Sequence, residues 1–180
     1  MYDLAIIGAG WAGFNAALRA KELGFKVCLI DAHQIGGTCL HYGCIPTKTL
    51  IACAKIFSLT RRSTDFGIEL DNPRINLAAI QEKKDKVIRQ LAQGMQSKLL
   101  GIDFINSLAR IISTQEVKAD GRMINAKFIL IATGSYPCAL PEYKFNHKKI
   151  ISSDEALALL EIPQSLLIIG AGVIGCEFAS

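Results

Sequence analysis

The residues most able to do chemistry are two cysteines, Cys39 and Cys44, five positions apart in a glycine-rich stretch from Gly36 to Lys48. Two thiols that approach each other exchange electrons by forming and breaking a disulfide, with thiolate as the attacking species. Residues five apart on a regular helix point in different directions, so a disulfide requires the backbone to bend between them. Gly43 and Pro46 predict such a bend and place Cys44 near a helix N-terminus, where the helix dipole favours thiolate. The pattern predicts a redox-active dithiol.

Two other interpretations of the cysteines are weaker. Cys39, His41 and Cys44 could offer three zinc ligands, but zinc sites usually add a second ligand pair at a recognisable spacing. The other four of the six cysteines are scattered along the chain. The second alternative is that the pair is buried and inert. We therefore predict no metal site.

A strand, glycine turn, helix and strand precede the cysteines. The apolar run Leu4 to Ile7 leads into a turn of sequence Gly-Ala-Gly-Trp-Ala-Gly, a helix is predicted from Phe14 to Leu23, and a strand over 25–30 ends at Asp31. In this context G-x-G-x-x-G holds a pyrophosphate at the helix N-terminus, and the acid accepts hydrogen bonds from ribose hydroxyls. A purely structural glycine turn is the alternative. The dithiol follows this unit closely, which predicts electron transfer between the cysteines and the redox ring of a bound flavin.

Further along, the predicted elements continue to mix helix and strand. We predict helices over 47–60, 75–99 and 153–160, strands within 102–117 and over 127–132 and 165–169, a hairpin turn at 120–122, a loop over 61–73 and a connector over 136–149. A second glycine turn, residues 170–175, follows the last strand. The fold class is thus α/β: a Rossmann-like dinucleotide-binding domain with a helical excursion and a small β-meander, then the start of a second such domain. We place these domains at 1–150, incomplete, and 151–180, truncated. The second cannot close, because a βαβ unit needs about 30 residues and only 16 run from Ser165 to the end.

Composition limits the function classes. The chain has 20 basic and 16 acidic residues, a net charge of +4, and 51% hydrophobic residues, enough for a sizeable core. The densest charged run, residues 81–86, mixes both signs, so we expect no nucleic-acid interface. The initial apolar run is too short to span a membrane and lacks basic flanks. We expect a cytoplasmic protein with no membrane association.

The stretch from Gly36 to Lys48 resembles the redox-active signature of the flavin-dependent pyridine nucleotide-disulfide oxidoreductases. The resemblance extends over the whole chain through both glycine turns and the segment Ala132-Thr133-Gly134-Ser135. It implies that Cys44 contacts the flavin, that Cys39 exchanges with the substrate, and that Lys48 lies beside the flavin and pairs with Glu177. It also implies an FAD site and an NAD(P) site. The FAD site comprises Gly8, Gly10, Trp11, Ala12, Gly13, Asp31, Gly37, Thr38, Cys39, Lys48, Ala109, Thr133, Gly134 and Ser135; the NAD(P) site begins with Gly170, Gly172, Val173, Ile174, Gly175 and Glu177.

Within the family, the chain is most similar to the dihydrolipoamide dehydrogenases. Cys39-Leu40, the Cys-Ile-Pro-Thr-Lys run from Cys44, and Val173 carry this likeness, whereas His41 stands where the family usually has asparagine. The resemblance implies the cofactors FAD and NAD, a homodimer, and dihydrolipoamide or the lipoyl domain of a 2-oxo acid dehydrogenase complex as partner. NADP stays open beside NAD, and His41 has no assigned role.

Two alternatives to this activity stay open. A reductase of mercuric ion or of another disulfide would use the same dithiol. The 180-residue chain by itself could instead be a non-catalytic FAD-binding module, because the family resemblance implies a catalytic His-Glu pair that none of its three histidines matches.

Overall fold

A computed structural model describes residues 1–180. The chain forms two compact units. The first comprises Met1–His41 and Gln90–Tyr136, and the second comprises Tyr42–Arg89 and Pro137–Ser180. The boundary at residue 150 that we expected from the sequence stays a prediction.

The first unit is built on a six-stranded sheet in the order β3-β2-β1-β6-β5-β4. Its strands are β1 Tyr2–Ile7, β2 Val27–Asp31, β3 Asp103–Asn106, β4 Ala109–Ile111, β5 Glu116–Ala119 and β6 Arg122–Ile131. β1 pairs in parallel with β2 and β6, and β2 pairs in parallel with β3. β4, β5 and β6 pair antiparallel, which is the predicted meander. The predicted α/β fold with a Rossmann-like first domain is confirmed.

Buried strand residues and one helix form the core of this unit. Ala5, Cys28 and Ala126 are fully buried within a cluster on the sheet. Helix α1, Trp11–Glu22, buries Phe14 and Ala17. This helix begins three residues before the predicted start, because the glycine turn runs directly into it. It ends as predicted at a glycine in the left-handed conformation, Gly24, with φ of 82°.

The hairpin between β5 and β6 was correctly predicted from Asp120 and Gly121. Ala119 pairs with Arg122, so the loop contains two residues, and both have positive φ, 50° and 69°. This backbone is the type I′ turn that Asp-Gly favours, because it matches the twist of the strands. Because the hairpin pairs Arg122 with Ala119, β6 begins at Arg122, five residues before the predicted strand.

The remaining helices are α2 Gly37–His41, α3 Cys44–Thr60, α4 Leu77–Lys98, α5 Ser153–Ala156 and α6 Val173–Ala179, with a 3₁₀ turn at Ser63–Phe66 inside the predicted loop. The short α2 was not predicted. No helix combines the length and apolar character needed to cross a membrane.

Two predictions in the second unit were wrong. The expected strand at residues 165–169 is absent, because no neighbouring strand supplies the ladder of hydrogen bonds that a strand needs. The predicted helix over 153–160 ends at Ala156. Side chains of α4 take the carbonyls beyond that point: Gln81 donates to Leu157 and Leu159, and Lys84 donates to Leu157.

A capping box starts α5 and makes its stability depend on pH. Glu155 accepts hydrogen bonds from the backbone amide and hydroxyl of Ser152 and contacts the His147 ring. Hydrogen bonds from Ser152, and then from His147, lower the pKa of Glu155 to about 2. Because this pKa lies below its ordinary value of 4.5, the ionised carboxylate stabilises the cap above about pH 4.5, and this contribution is lost as the pH falls towards 2.

We therefore expect the hydrogen-exchange protection of the α5 amides to fall between pH 5 and 2. In Glu155→Gln, protection should be lower at pH 7 and should change less over this range. Protection factors measured by NMR at several pH values test this. The expected loss at pH 7 is below about 1 kcal/mol, the size of a fully lost cap, because the glutamine oxygen still accepts from Ser152 but carries no charge. Equal pH profiles for the two proteins would contradict the assignment to Glu155.

Candidate functional site

The first glycine turn has a backbone that only glycine can adopt. Gly8 has φ of 108°, and a Cβ there would lie 2.1 Å from the Ala132 carbonyl oxygen. A Cβ on Gly13 would lie 1.8 Å from the Gly8 carbonyl oxygen. The first intrahelical bond of α1 runs from the Phe14 amide to the Gly10 oxygen, at 2.8 Å. The amides of the three preceding residues, 11–13, therefore lie in the first turn of the helix, where they can bind a phosphate.

Asp31 is attached directly to this turn. Its Oδ2 accepts from the Ala9 amide at 2.6 Å, and its Oδ1 accepts from the His33 amide at 2.8 Å. Each carboxylate oxygen has a further lone pair that can accept from a ribose hydroxyl. The predicted ribose ligand therefore also shapes the turn, a second role that the sequence pattern did not reveal.

Residues 36–38 close against the same turn. The Gly36 amide donates to the Ala9 oxygen at 2.9 Å, and a Cβ on Gly37 would lie 2.6 Å from the Gly10 Cα. Thr38 donates its hydroxyl to the Ser135 oxygen at 3.2 Å.

Some predicted residues are gathered by these contacts and others are not. Thr133 and Gly134 follow Ala132, whose amide donates to the Ile7 oxygen at 2.8 Å. Trp11 is largely exposed and stacks on Phe14. Ala109 lies on β4 and packs against the core cluster, outside the hydrogen bonds described above. Gly36, whose φ is 116°, was not predicted as a site residue; the Gly-Gly pair at 36–37 was the signal that could have indicated it.

These features fit a dinucleotide. The close approaches at Gly8, Gly13 and Gly37 leave no room for side chains, the helix N-terminus provides amides, and Asp31 provides an acceptor. A pyrophosphate and an adjoining ribose require this combination of groups. The residues in the first unit could therefore hold FAD in the predicted site.

The two cysteines lie on different helices, as the predicted bend requires. Cys39 is half-buried in α2. Cys44 is exposed and is the first residue of α3, after Gly43, whose φ and ψ of −140° and −118° are not helical. The predicted position of Cys44 at a helix N-terminus is confirmed, and this position stabilises negative charge on sulfur.

Cys28 differs from the pair. It is fully buried in β2, and burial raises the pKa of its thiol to about 11. A thiol with this pKa stays protonated at neutral pH and packs as a small hydrophobic residue.

The predicted ion pair between Lys48 and Glu177 is present in the second unit. Lys48 lies one helical turn after Cys44 on α3, and its ammonium donates to Glu177 Oε1 on α6. Glu177 Oε2 is buried without a hydrogen-bond partner, whereas the Lys48 side chain is 60% exposed. The ammonium can therefore donate to a ligand while the carboxylate fixes its position.

The second glycine turn has the same backbone conformation as the first. Gly170 has φ of 109°, Gly172 caps α6, and a Cβ on Gly175 would lie 2.2 Å from the Gly170 oxygen. Val173 and Ile174, the first residues of α6, are exposed. The turn therefore forms although the predicted strand before it does not. No group of three or more His, Cys, Asp or Glu side chains is arranged to hold a metal ion.

Comparison with known proteins decides the family. The pyridine nucleotide-disulphide oxidoreductase family matches residues 2–180. The chain belongs to this family. Its members use FAD and NAD(H). The resemblance stated from the sequence is thereby confirmed.

Relatives within the family are dihydrolipoyl dehydrogenases. One from Bacillus subtilis is 37% identical over 99% of this chain and 41% of its own length. That of Chlamydia trachomatis is 41% identical over 99% of this chain and 40% of its own length. The mitochondrial enzyme of Pisum sativum is 38% identical over 99% of this chain and 37% of its own length. The chain thus spans about 40% of the length of these curated relatives.

A solved flavoprotein disulfide reductase has a similar fold. The Cu(II) complex of the HOCl-induced flavoprotein disulfide reductase RclA from Escherichia coli superimposes with a TM-score of 0.80. It is 29% identical, over 98% of this chain and 38% of that one.

Proposed function

We propose that the complete protein is a dihydrolipoamide dehydrogenase that uses FAD and NAD⁺. The observation that carries this proposal is the redox motif: Cys44 starts a helix, and one turn later Lys48 is held by Glu177. The choice of substrate is supported by the sequence identity of 37% and 41% to two dihydrolipoyl dehydrogenases, over 99% of this chain.

The reaction transfers two electrons through the cysteines. A dihydrolipoyl thiolate attacks Cys39 Sγ, the Cys39–Cys44 disulfide breaks, and Cys44 leaves as a thiolate. The second dihydrolipoyl thiol then attacks the mixed disulfide, so lipoamide forms its ring disulfide and Cys39 is released. FAD, when bound, would supply the redox chemistry by which the dithiol pair returns to a disulfide and NAD⁺ is reduced. The balance is dihydrolipoamide plus NAD⁺ to lipoamide, NADH and a proton.

The chain's own residues have separate tasks in this proposal. The first glycine turn and Asp31 bind the pyrophosphate and ribose of FAD, and the α3 N-terminus stabilises the Cys44 thiolate. Lys48 places a positive charge beside the flavin, oriented by Glu177. Gly170, Gly172 and Gly175 begin the NAD site, and we propose NAD rather than NADP from the dehydrogenase relatives.

The partner, assembly and compartment follow from the same relatives as proposals. The substrate dithiol is a lipoyl group on a 2-oxo acid dehydrogenase complex, the complete protein is a homodimer, and it works in the cytoplasm. We also propose the domain limits 1–150 and 151–180 for the FAD-binding domain and the start of the NAD-binding domain.

A second candidate function is reduction of another disulfide. The structural similarity to a flavoprotein disulfide reductase favours it. Electrons would then flow from the nicotinamide cofactor through FAD to the dithiol and on to the substrate. The two candidates differ in the direction of electron flow and in the substrate.

A visible spectrum tests the redox core first. The purified complete protein should show flavin absorbance, and anaerobic dithiothreitol should produce a long-wavelength band from the Cys44 thiolate against the flavin. Steady-state assays should then show NAD⁺ reduction by dihydrolipoamide. Flavin absorbance without the band would contradict the role of Cys44, and a band without dihydrolipoamide turnover would favour the second candidate.

A further inference from the structure

His41 is the last residue of the short helix α2, and its ring is half-buried. Its Nε2 lies 2.9 Å from the carbonyl oxygen of Ile35. A carbonyl oxygen can only accept a hydrogen bond, so Nε2 carries the hydrogen and donates it. The imidazole therefore links the end of α2 to the segment that precedes it.

That preceding segment is fixed on the first glycine turn. Gly36 donates to the Ala9 oxygen, and Gly37 approaches Gly10 too closely for a side chain. Leu40, 2% exposed, covers Gly36, where a Cβ would lie 2.3 Å from the Leu40 Cδ2. Residues 35–37, here called the base, are thus held in a fixed position against the first glycine turn, where the proposed FAD site lies.

Helix α2 needs such anchors, because it contains five residues. A helix of this length gains too few intrahelical hydrogen bonds to be stable by itself. Its position is therefore set by contacts with the residues just before it, which include Leu40 over Gly36 and His41 on Ile35. Cys39 lies between these anchors and the start of the helix.

We propose that His41 is a positioning residue for Cys39. By donating from Nε2 to the Ile35 oxygen, it holds α2 on the base formed by residues 35–37 and so limits the movement of the Cys39 thiol. This inference rests on the proposed function, which makes Cys39 the thiol that exchanges with substrate. Its test measures the thiol itself and does not require turnover.

The test compares three variants of the complete protein after reduction. His41→Gln keeps an amide donor close to the Nε2 position, His41→Asn carries a shorter amide that resembles Nδ1, and His41→Leu removes the donor. The rate of alkylation by iodoacetamide is measured for each cysteine by mass spectrometry, with fragmentation assigning the adducts. Cys44 and Cys53 in the same sample are the internal references.

Loss of the hydrogen bond should increase the alkylation rate of half-buried Cys39 about fivefold in His41→Leu and His41→Asn. The rate in His41→Gln should stay within about twofold of the parent, and Cys53 should be unchanged. If His41→Leu does not fold, the comparison of Asn with Gln decides. Equal Cys39 rates in the Asn and Gln variants, whether fast or slow, would overturn the proposal. A Cys39 alkylation rate that stays near the parent's in His41→Gln but rises in His41→Asn would support the positioning role. If neither the parent nor any variant turned over dihydrolipoamide, that result would contradict the proposed function alone.

Discussion

Replacing Cys44 with serine in the complete protein should lower dihydrolipoamide turnover by about 10⁴-fold or more, since removal of an essential nucleophile has effects of this size. A serine hydroxyl forms no disulfide, so the two-electron path between substrate and flavin is interrupted. Steady-state reduction of NAD⁺ measures this effect. The long-wavelength band on reduction should disappear with the turnover.

Two further variants make the result specific. Cys39→Ser should also lose turnover, but its Cys44 thiolate should give the long-wavelength band without any reductant. Cys53→Ser lies on the same helix α3, nine residues after Cys44, and should keep turnover within about twofold of the parent. Turnover of Cys44→Ser at more than a few per cent of the parent would show that electrons take another path.

Gly13→Ala should destabilise the protein by about 3 kcal/mol, although alanine is the better helix former. The new Cβ would lie 1.8 Å from the Gly8 oxygen and 3.2 Å from Ile6 Cγ2. The glycine turn and α1 would have to move apart, and the binding of FAD should weaken with them. Urea unfolding and flavin titration measure the two effects.

Gly94→Ala is the matched control. Gly94 lies within α4, and a Cβ there meets no atom within 4 Å. The same substitution should therefore stabilise the protein by about 0.5–1 kcal/mol, because alanine loses less backbone entropy than glycine in a helix. If Gly13→Ala and Gly94→Ala changed the free energy of unfolding in the same direction, the close approach at Gly13 would be refuted.

Local sequence signals predicted those parts of the fold whose causes are local. The Asp-Gly pair at 120–121 determines the hairpin because both residues tolerate positive φ. The glycine spacing predicted the first turn, and the structure repeats that backbone at residues 170–175 without a paired strand before it. Pro46 and Gly43 were enough to predict that Cys44 starts a helix.

Elements that depend on a partner were predicted less well. The apolar run at 165–169 has the composition of a strand, but a strand exists only where a neighbour pairs with it. Helix α5 ends at Ala156, and the carbonyls that follow it accept from Gln81 and Lys84 on a distant helix. Neither side chain could be assigned to this role from the sequence, since both lie more than 70 positions before their acceptors.

The candidate site divides in the same way. The residue types are readable from the amino-acid order alone: the dithiol, the two glycine turns, Asp31, and the family that the comparisons confirm. The hydrogen bonds from the Ala9 amide to Asp31 and from His41 to the Ile35 carbonyl became visible only in the folded chain. Motifs are visible in a sequence because their chemistry depends on residue type and short spacing. Hydrogen bonds formed by a folded loop depend on where the chain returns, and a single sequence does not contain that information locally.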